Sequence, residues 1–289
     1  MKEKDYVISV DLGGTNVRVG LISSDCEIIK VYRERTIKGD KEKLTEQICQ
    51  MIDKLPYEEY HVKHVGVSAC GFVKNNYIKH LANLQIQDYN LKKKIEERFP
   101  YLDVTIKNDA DCTAVSEATY GVSKDIDSSF FITISSGIGG ALIHHKRLIN
   151  LNFEIGHMLV EYNNSIFEVE QLLSGNGIVR LCKENNLLVS DASEFFSLVR
   201  INDYKATNIM EMWKRKVSIL IANLQMLFDV DAFVLSGGVM KSNDLFFHDL
   251  QNQANEMVRQ FPLKPIILTL AEFDQDAGLI GGASIVLEK

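Results

Sequence analysis

The sequence predicts an α/β protein. Three observations carry this: β-type apolar runs break into glycine turns at two distant places, helix-periodic stretches alternate with strand runs, and 46% of the residues are apolar, enough for a substantial core. At the first turn, Val7-Ile8-Ser9-Val10 leads into Asp11-Leu12-Gly13-Gly14-Thr15-Asn16. At the second, Phe131-Ile132-Thr133-Ile134 leads into Ser135-Ser136-Gly137-Ile138-Gly139-Gly140. Glycine at such turns allows unusual φ and brings bare backbone N–H groups close to an anion. Two of them, one per half, suggest a nucleotide gripped between two lobes.

Residues 6–11 and 17–23 read as strands joined by the first turn, and 27–34 alternate weakly as a third. Leu44, Ile48, Met51 and Leu55 share a helical face. Residues 62–68 form another strand, followed by a hairpin around Asn75-Asn76. Residues 91–99 are helical, and 104–106 make a short buried strand. Asn108-Asp109 opens a helix that Gly121 stops. Strands follow at 129–134 and 140–144, whereas 146–170 reads as irregular. Trp213, Val217, Leu220, Leu224 and Leu227 mark a long amphipathic helix. Phe233-Val234-Leu235 is a strand running into Ser236-Gly237-Gly238. A helix near 243–260, a strand at 266–270 and a helix at 277–287 complete the pattern. The two glycine turns form a weak internal echo rather than a tandem repeat.

A net charge of −7 argues against a general nucleic-acid binder, which needs a concentrated basic surface. Lys92-Lys93-Lys94 lies beside Glu96 and Glu97 and reads as a solvated helix face. No apolar run reaches membrane-spanning length, and the first residues lack the apolar core of a signal peptide. The five cysteines, Cys26, Cys49, Cys70, Cys112 and Cys182, are scattered without a C-x-x-C pair. Reduced thiols in a cytoplasmic protein are expected, not a disulfide framework or a Cys-rich zinc site.

Asp11 ends its strand just before Gly13-Gly14-Thr15. It either orients waters around a Mg²⁺ or simply borders a tight hairpin. Asn108-Asp109-Ala110-Asp111 sits at a strand-to-helix junction, where Asn and Asp serve as N-caps. Two aspartates and an asparagine exceed what capping needs, and an Asp at a strand end can take a proton from a substrate hydroxyl. Glu154-Ile155-Gly156-His157 and Glu170 place three hydrogen-bonding groups in the irregular stretch. They suit the vicinal hydroxyls of a sugar, although a lone histidine is also a common structural residue. Ser236-Gly237-Gly238-Val239 could let a nucleotide base approach the backbone. Gly278, Gly281 and Gly282 near the end suggest close packing, because helical glycines cost stability.

The order of these pieces resembles the ROK family of sugar kinases and repressors: Asp-x-Gly-Gly-Thr-Asn, then Asn-Asp-Ala, Ser-Gly-Ile-Gly-Gly, Glu-Ile-Gly-His, Glu170 followed by Ser174-Gly175, and Ser-Gly-Gly, from about residue 6 to 285. The resemblance implies a two-lobed, actin-like ATPase (ribonuclease H-like) fold with an interlobe cleft. The expected lobes are residues 1–110 plus 272–289, and 111–271. It implies transfer of the γ-phosphoryl of ATP, with Mg²⁺, to the 6-hydroxyl of a hexose. By resemblance Asp109 is the catalytic base, and Asn83, Asn108, Glu154, His157 and Glu170 bind the sugar. Asp11, Gly13, Gly14, Thr15, Asn16, Ser136, Gly137 and Gly139 line the phosphates, and Gly237 and Gly238 the adenosine. A homodimer is common among such relatives.

Two departures stand out. Many relatives follow the Gly-His pair with a Cys-rich zinc loop. Here His157 is followed by Met158-Leu159-Val160-Glu161-Tyr162, no cysteine occurs before Cys182, and Glu168 takes the place of the last ligand cysteine. No structural zinc is expected. Ser135-Ser136 stands where Gly-Thr is commoner, keeping one hydroxyl for phosphate. Only residues 1–5 precede the first strand, so the DNA-binding domain of the repressor branch is not expected. The Ser236–Ser242 stretch, the surround of Asn83 and the opening segment through Thr36 look most like bacterial D-allose kinases. D-Allose or D-glucose is the favoured substrate. N-Acetylmannosamine, fructose or a β-glucoside is the alternative, and a non-catalytic sugar-sensing regulator is the alternative of another class.

Overall fold

Strand β1 (Tyr6–Leu12) is buried along nearly its whole length, as a strand covered on both faces must be. In the computed structural model, which describes residues 4–273 and 276–287, it is the middle strand of the first of two units. The first unit comprises Met1–Gly121 with Gln275–Lys289, and the second Val122–Asp274.

In the first unit, β1 pairs antiparallel with β2 (Asn16–Ser23), and β2 with β3 (Ile28–Arg35). Helix α1 (Lys41–Asp53) is capped by Asp40, whose carboxylate accepts from the N–H groups of Glu42 and Lys43. It buries Leu44, Ile48, Met51 and Ile52 in the core that β1 and β2 share. Strand β4 (His64–Ala69) lies parallel to β1 on its other side. A small sheet follows, made of β5 (Phe72–Lys74), β6 (Tyr77–Leu81) and β7 (Ile86–Tyr89). Asn75 and Asn76, with φ of 52° and 61°, form the expected tight turn between β5 and β6. Helix α2 (Leu91–Arg98) leads into β8 (Asp103–Asn108), parallel to β4, and then helix α3 (Asp109–Thr119). The main sheet therefore runs β3-β2-β1-β4-β8.

The C-terminal helix (Ala277–Leu287) packs on this sheet at contact distance. A Cβ on Gly66 of β4 would fall 1.6 Å from the carbonyl oxygen of Gly282. Ser9 Oγ donates to the carbonyl of Leu279 at 2.5 Å. A Cβ on Gly281 would strike the backbone of Cys112 in α3, so the close packing expected at Gly281 and Gly282 is present. The same packing keeps α3 whole within this unit; the expected break after residue 110 would cut through it.

The second unit opens with β9 (Ser129–Ile134) and β10 (Ile138–His144), an antiparallel pair extended by β11 (Arg147–Leu148). Beyond a 3₁₀ turn at Ile155–His157 comes a second antiparallel pair, β12 (Leu159–Tyr162) and β13 (Ser165–Glu168). The stretch expected to be irregular is thus largely ordered, because Asn163 and Asn164 take the left-handed φ that a two-residue hairpin turn demands. Helices α4 (Glu170–Leu173), α5 (Gly175–Glu184), α6 (Ala192–Arg200) and α7 (Tyr204–Phe228) follow. Trp213 of α7 is fully buried, donates through Nε1 to Leu173 O at 2.9 Å and stacks edge-on against Phe246. Leu227, expected on the buried face of α7, is 68% exposed near the helix end. Strand β14 (Ala232–Ser236) joins β9 in parallel. A 3₁₀ stretch, Gly238–Leu245, delays helix α8 to Phe247–Val258, and β15 (Leu268–Leu270) closes the sheet in the order β11-β10-β9-β14-β15. Each unit thus repeats one plan, a hairpin followed by parallel strands on its inner side, which the sequence showed only as an echo between two turns.

Candidate active site

In the first unit, Leu12, Ala69 and Asn108 lie side by side where the parallel strands β1, β4 and β8 end. Ligands of α/β sheets gather at such strand ends. The first glycine turn starts there: Gly13 N–H donates to Asn16 O at 3.1 Å. Thr36 braces it, donating through Oγ1 to Gly13 O at 2.8 Å and through its N–H to Thr15 O at 3.0 Å. A Cβ on Gly14 would come 2.9 Å from Cβ of Asn83, so the expected phosphate turn and an expected sugar ligand are in direct contact.

Asn108 is the N-cap of α3, its Oδ1 accepting from Asp111 N–H at 2.7 Å. Its capping role is therefore realised, leaving its amide N–H₂ as the group to offer a ligand. Asp109 begins the helix, and its Oδ1 accepts from Ala110 N–H at 3.0 Å. Its carboxylate is reachable from solvent yet poorly hydrated. That loss of hydration raises its pKa from 3.8 to about 6, against the pull of the Ala110 N–H and with help from the charge of Asp11. The Cys70 thiol beside these aspartates is pushed up to about 12 by burial and by their charges, so it stays protonated.

Asp11 faces its hairpin partner Arg18, which donates to Oδ2 through both Nε and Nη2 at 2.9 and 2.8 Å. Arg18 also reaches Asp276 at 3.0 Å. Burial raises the pKa of Asp11 and the guanidinium opposes that rise. Both arginine bonds fall on Oδ2, while Oδ1 faces Gly278. These carboxylates are hard oxygen donors of the kind magnesium takes, directly or through water. Arg18 is a residue the motif reading missed; its cross-strand register opposite Asp11 was the available signal.

In the second unit, the other glycine turn is closed by Ser135 N–H donating to Gly137 O at 2.9 Å and by Gly175 N–H donating to Ser135 O at 2.6 Å. Glu170 Oε2 accepts from Ile138 N–H at 3.2 Å and lies against Gly137 and Gly156. Around it stand Glu154, which precedes the 3₁₀ turn, and His157, which ends that turn. His157 Nδ1 is 3.0 Å from Glu168 Oε2. The pKa of His157 is raised, first by this bond and then by the charges of Glu170, Glu168 and Glu154, against some loss of hydration.

A cavity of about 520 Å³ opens in the same unit, lined at one end by Ser135, Ser136 and Gly238. The beginnings of α5 and α6, with Asn176, Ser190 and Asp191, line the rest. This is within the usual size of a small-molecule pocket. Ser174-Gly175 marked the beginning of α5 in the motif order, whereas the α6 contribution from Ser190 and Asp191, in a stretch without glycine, was missed. Three expected phosphate or nucleotide residues lie elsewhere. Gly139 sits inside β10, paired with Thr133. Gly237, at φ 100°, is pressed against Ile134 O and lines a smaller depression with Lys241 and Phe273. Asn16 is likewise a strand residue, holding the first turn through its carbonyl.

Structural zinc takes four ligands rich in thiolate and imidazole. The ligand atoms of His157, Glu168 and Glu170 lie within 4.8 Å of one another, but the set is one imidazole and two carboxylates, one of them already bonded to Ile138 N–H. These residues do not fit a structural zinc.

The ROK family pattern matches residues 7–289. The chain belongs to the ROK family. Among its relatives, the glucokinase of Thermotoga maritima is 24% identical over 98% of each chain. The N-acetylmannosamine kinase of Haemophilus influenzae is 25% identical over 96% of this chain and 93% of its own. The structure of the Streptomyces griseus ROK family glucokinase, solved with glucose and AMPPNP, superposes with a TM-score of 0.74 at 24% identity, covering 97% of this chain and 98% of that one. The fold is the actin-like ATPase fold of ROK sugar kinases. No helix among the described residues is long and apolar enough to cross a membrane.

Proposed function

We propose that this ROK protein is an ATP-dependent hexose kinase of the cytoplasm that phosphorylates the 6-hydroxyl of an aldohexose, D-glucose or D-allose before N-acetylmannosamine, fructose or a β-glucoside. One observation carries the reading: an aspartate opens helix α3 where the parallel strands end, at the level at which Leu12 leads into the first glycine turn, and lost hydration and the charge of Asp11 make its carboxylate more basic than usual. Such a carboxylate is ionised at neutral pH and more basic than an ordinary Asp, which suits it to take a hydroxyl proton. The relatives named glucokinase support the same assignment.

In this mechanism the 6-hydroxyl oxygen attacks the γ-phosphorus, its proton passes to Asp109, the β–γ bridge breaks and ADP leaves. Asn83, Asn108, Glu154, His157 and Glu170 hold the sugar hydroxyls. The backbone amides of Gly13, Gly14, Thr15, Ser136 and Gly137 cradle the phosphates, and the cavity beside Gly238 takes the nucleoside. Asp11 would hold a magnesium ion brought with ATP, through water, and the ion would supply neutralisation of phosphate charge. Phosphoryl transfer depends on such positioning more than on covalent catalysis.

The test is ADP formation by the purified chain with MgATP and a panel of hexoses. Turnover with an aldohexose, and loss of it in Asp109→Asn, is expected. Binding of a sugar without turnover by the intact chain would favour a sugar-sensing regulator instead.

A further inference from the structure

The hairpin of β12 and β13 ends by laying Glu168 against His157. It is a firm platform. Tyr162 and Phe167 pack against the core of the second unit, Asn185 of the segment after α5 donates to Tyr162 Oη at 2.8 Å, and Val169 N–H donates to Met158 O at 2.8 Å. Glu168 is held through its own N–H, which donates to Gln171 Oε1 at 3.1 Å, so its side chain is spare for another task. The carboxylate can only accept, so the imidazole nitrogen it meets must donate. A neutral His157 then carries its proton on Nδ1, and Nε2 is left as a bare acceptor.

We propose that Glu168 is a positioning residue for the hexose: by accepting from Nδ1 of His157 it fixes the ring and presents Nε2 to a sugar hydroxyl. The substrate half of this rests on the hexose-kinase reading. A carboxylate bonded to the far nitrogen orients metal-ligating histidines in the same way. Here, where the residues do not fit a structural zinc, the carboxylate does that orienting by itself.

The experiment uses the full chain with ¹⁵N-labelled histidine, at a pH alkaline enough to keep His157 neutral, its signal identified by loss in His157→Asn. The expected wild-type spectrum is that of the Nδ1–H tautomer, with a shift toward Nε2–H in Glu168→Ala and retention in Glu168→Gln, whose amide oxygen still accepts. In steady-state assays Glu168→Ala should raise the hexose KM about tenfold, the size expected for one charge-assisted hydrogen bond, with little change in ATP KM or kcat. Glu168→Gln should recover most of it. An Nε2–H tautomer in the wild type overturns the proposal outright, whatever the Ala variant does. The expected tautomer with an unchanged hexose KM in Glu168→Ala overturns the positioning role. The expected tautomer with no hexose turned over overturns the kinase reading, and the substrate half with it, while upholding the grip on the ring.

Discussion

Asp109 carries opposing demands. It is reachable from solvent, yet partial loss of hydration and the charge of Asp11 disfavour its charged form, which the proposed chemistry requires. Removing the charge in Asp109→Asn should lower kcat by about 10²- to 10⁴-fold, the usual contribution of a general base, with circular dichroism unchanged. The same substitution has a stability signature. The folded pKa is about 6 against 3.8 ordinarily, so the ionisation penalty is absent below 3.8, develops between the two values and is complete above about 6. Asp109→Asn should therefore melt higher than the wild type at neutral pH, and the gap should close as pH falls below 3.8. A lower melting temperature for the variant at neutral pH would contradict the raised pKa. At this scale the sequence pointed to residues near a glycine or a cap, as Asp11 and Asp109 are. Arg18 and Thr36 were hidden because their roles come from neighbours across the sheet, not along the chain.

Among the elements, the contact of β4 with the C-terminal helix leaves no room for a side chain. A methyl at Gly66 would overlap the carbonyl of Gly282, and neither backbone can yield without moving a strand or a helix. Gly66→Ala should lower stability by about 1–3 kcal/mol or more, seen as a fall of several degrees in Tm. Gly237→Ala combines a left-handed φ with a clash against Ile134 O and should cost more than about 1 kcal/mol. Gly238→Ala is the control, because a Cβ there meets nothing within 4 Å. Equal melting of the Gly237→Ala and Gly238→Ala variants would refute this packing. The first hairpin, the strands that follow it and the long α7 were legible from periodicity. The β12–β13 hairpin was not, since its short strands expose Leu159 and Ile166 and hide the alternation. Its Asn163-Asn164 turn matches Asn75-Asn76 and was the usable signal.

For the whole molecule, the repeated sheet plan explains why two glycine turns occur, each following the first strand of its own unit. The turns were plain in the sequence; the duplication was not, because strand order is set by long-range pairing that periodicity does not encode. Chelation of magnesium should abolish ATP-dependent turnover, and adding it back should restore the rate. Elemental analysis of the purified chain should find zinc well below one atom per chain.

The most direct test is the pH profile of kcat/KM for ATP-dependent hexose phosphorylation, in the wild type and in Asp109→Asn. The wild-type rate should climb as pH rises through about 6, while the variant should be at least about 100-fold slower and lack that inflection. A variant that turns over hexose at the wild-type rate, with the same profile, would show that the proton goes elsewhere.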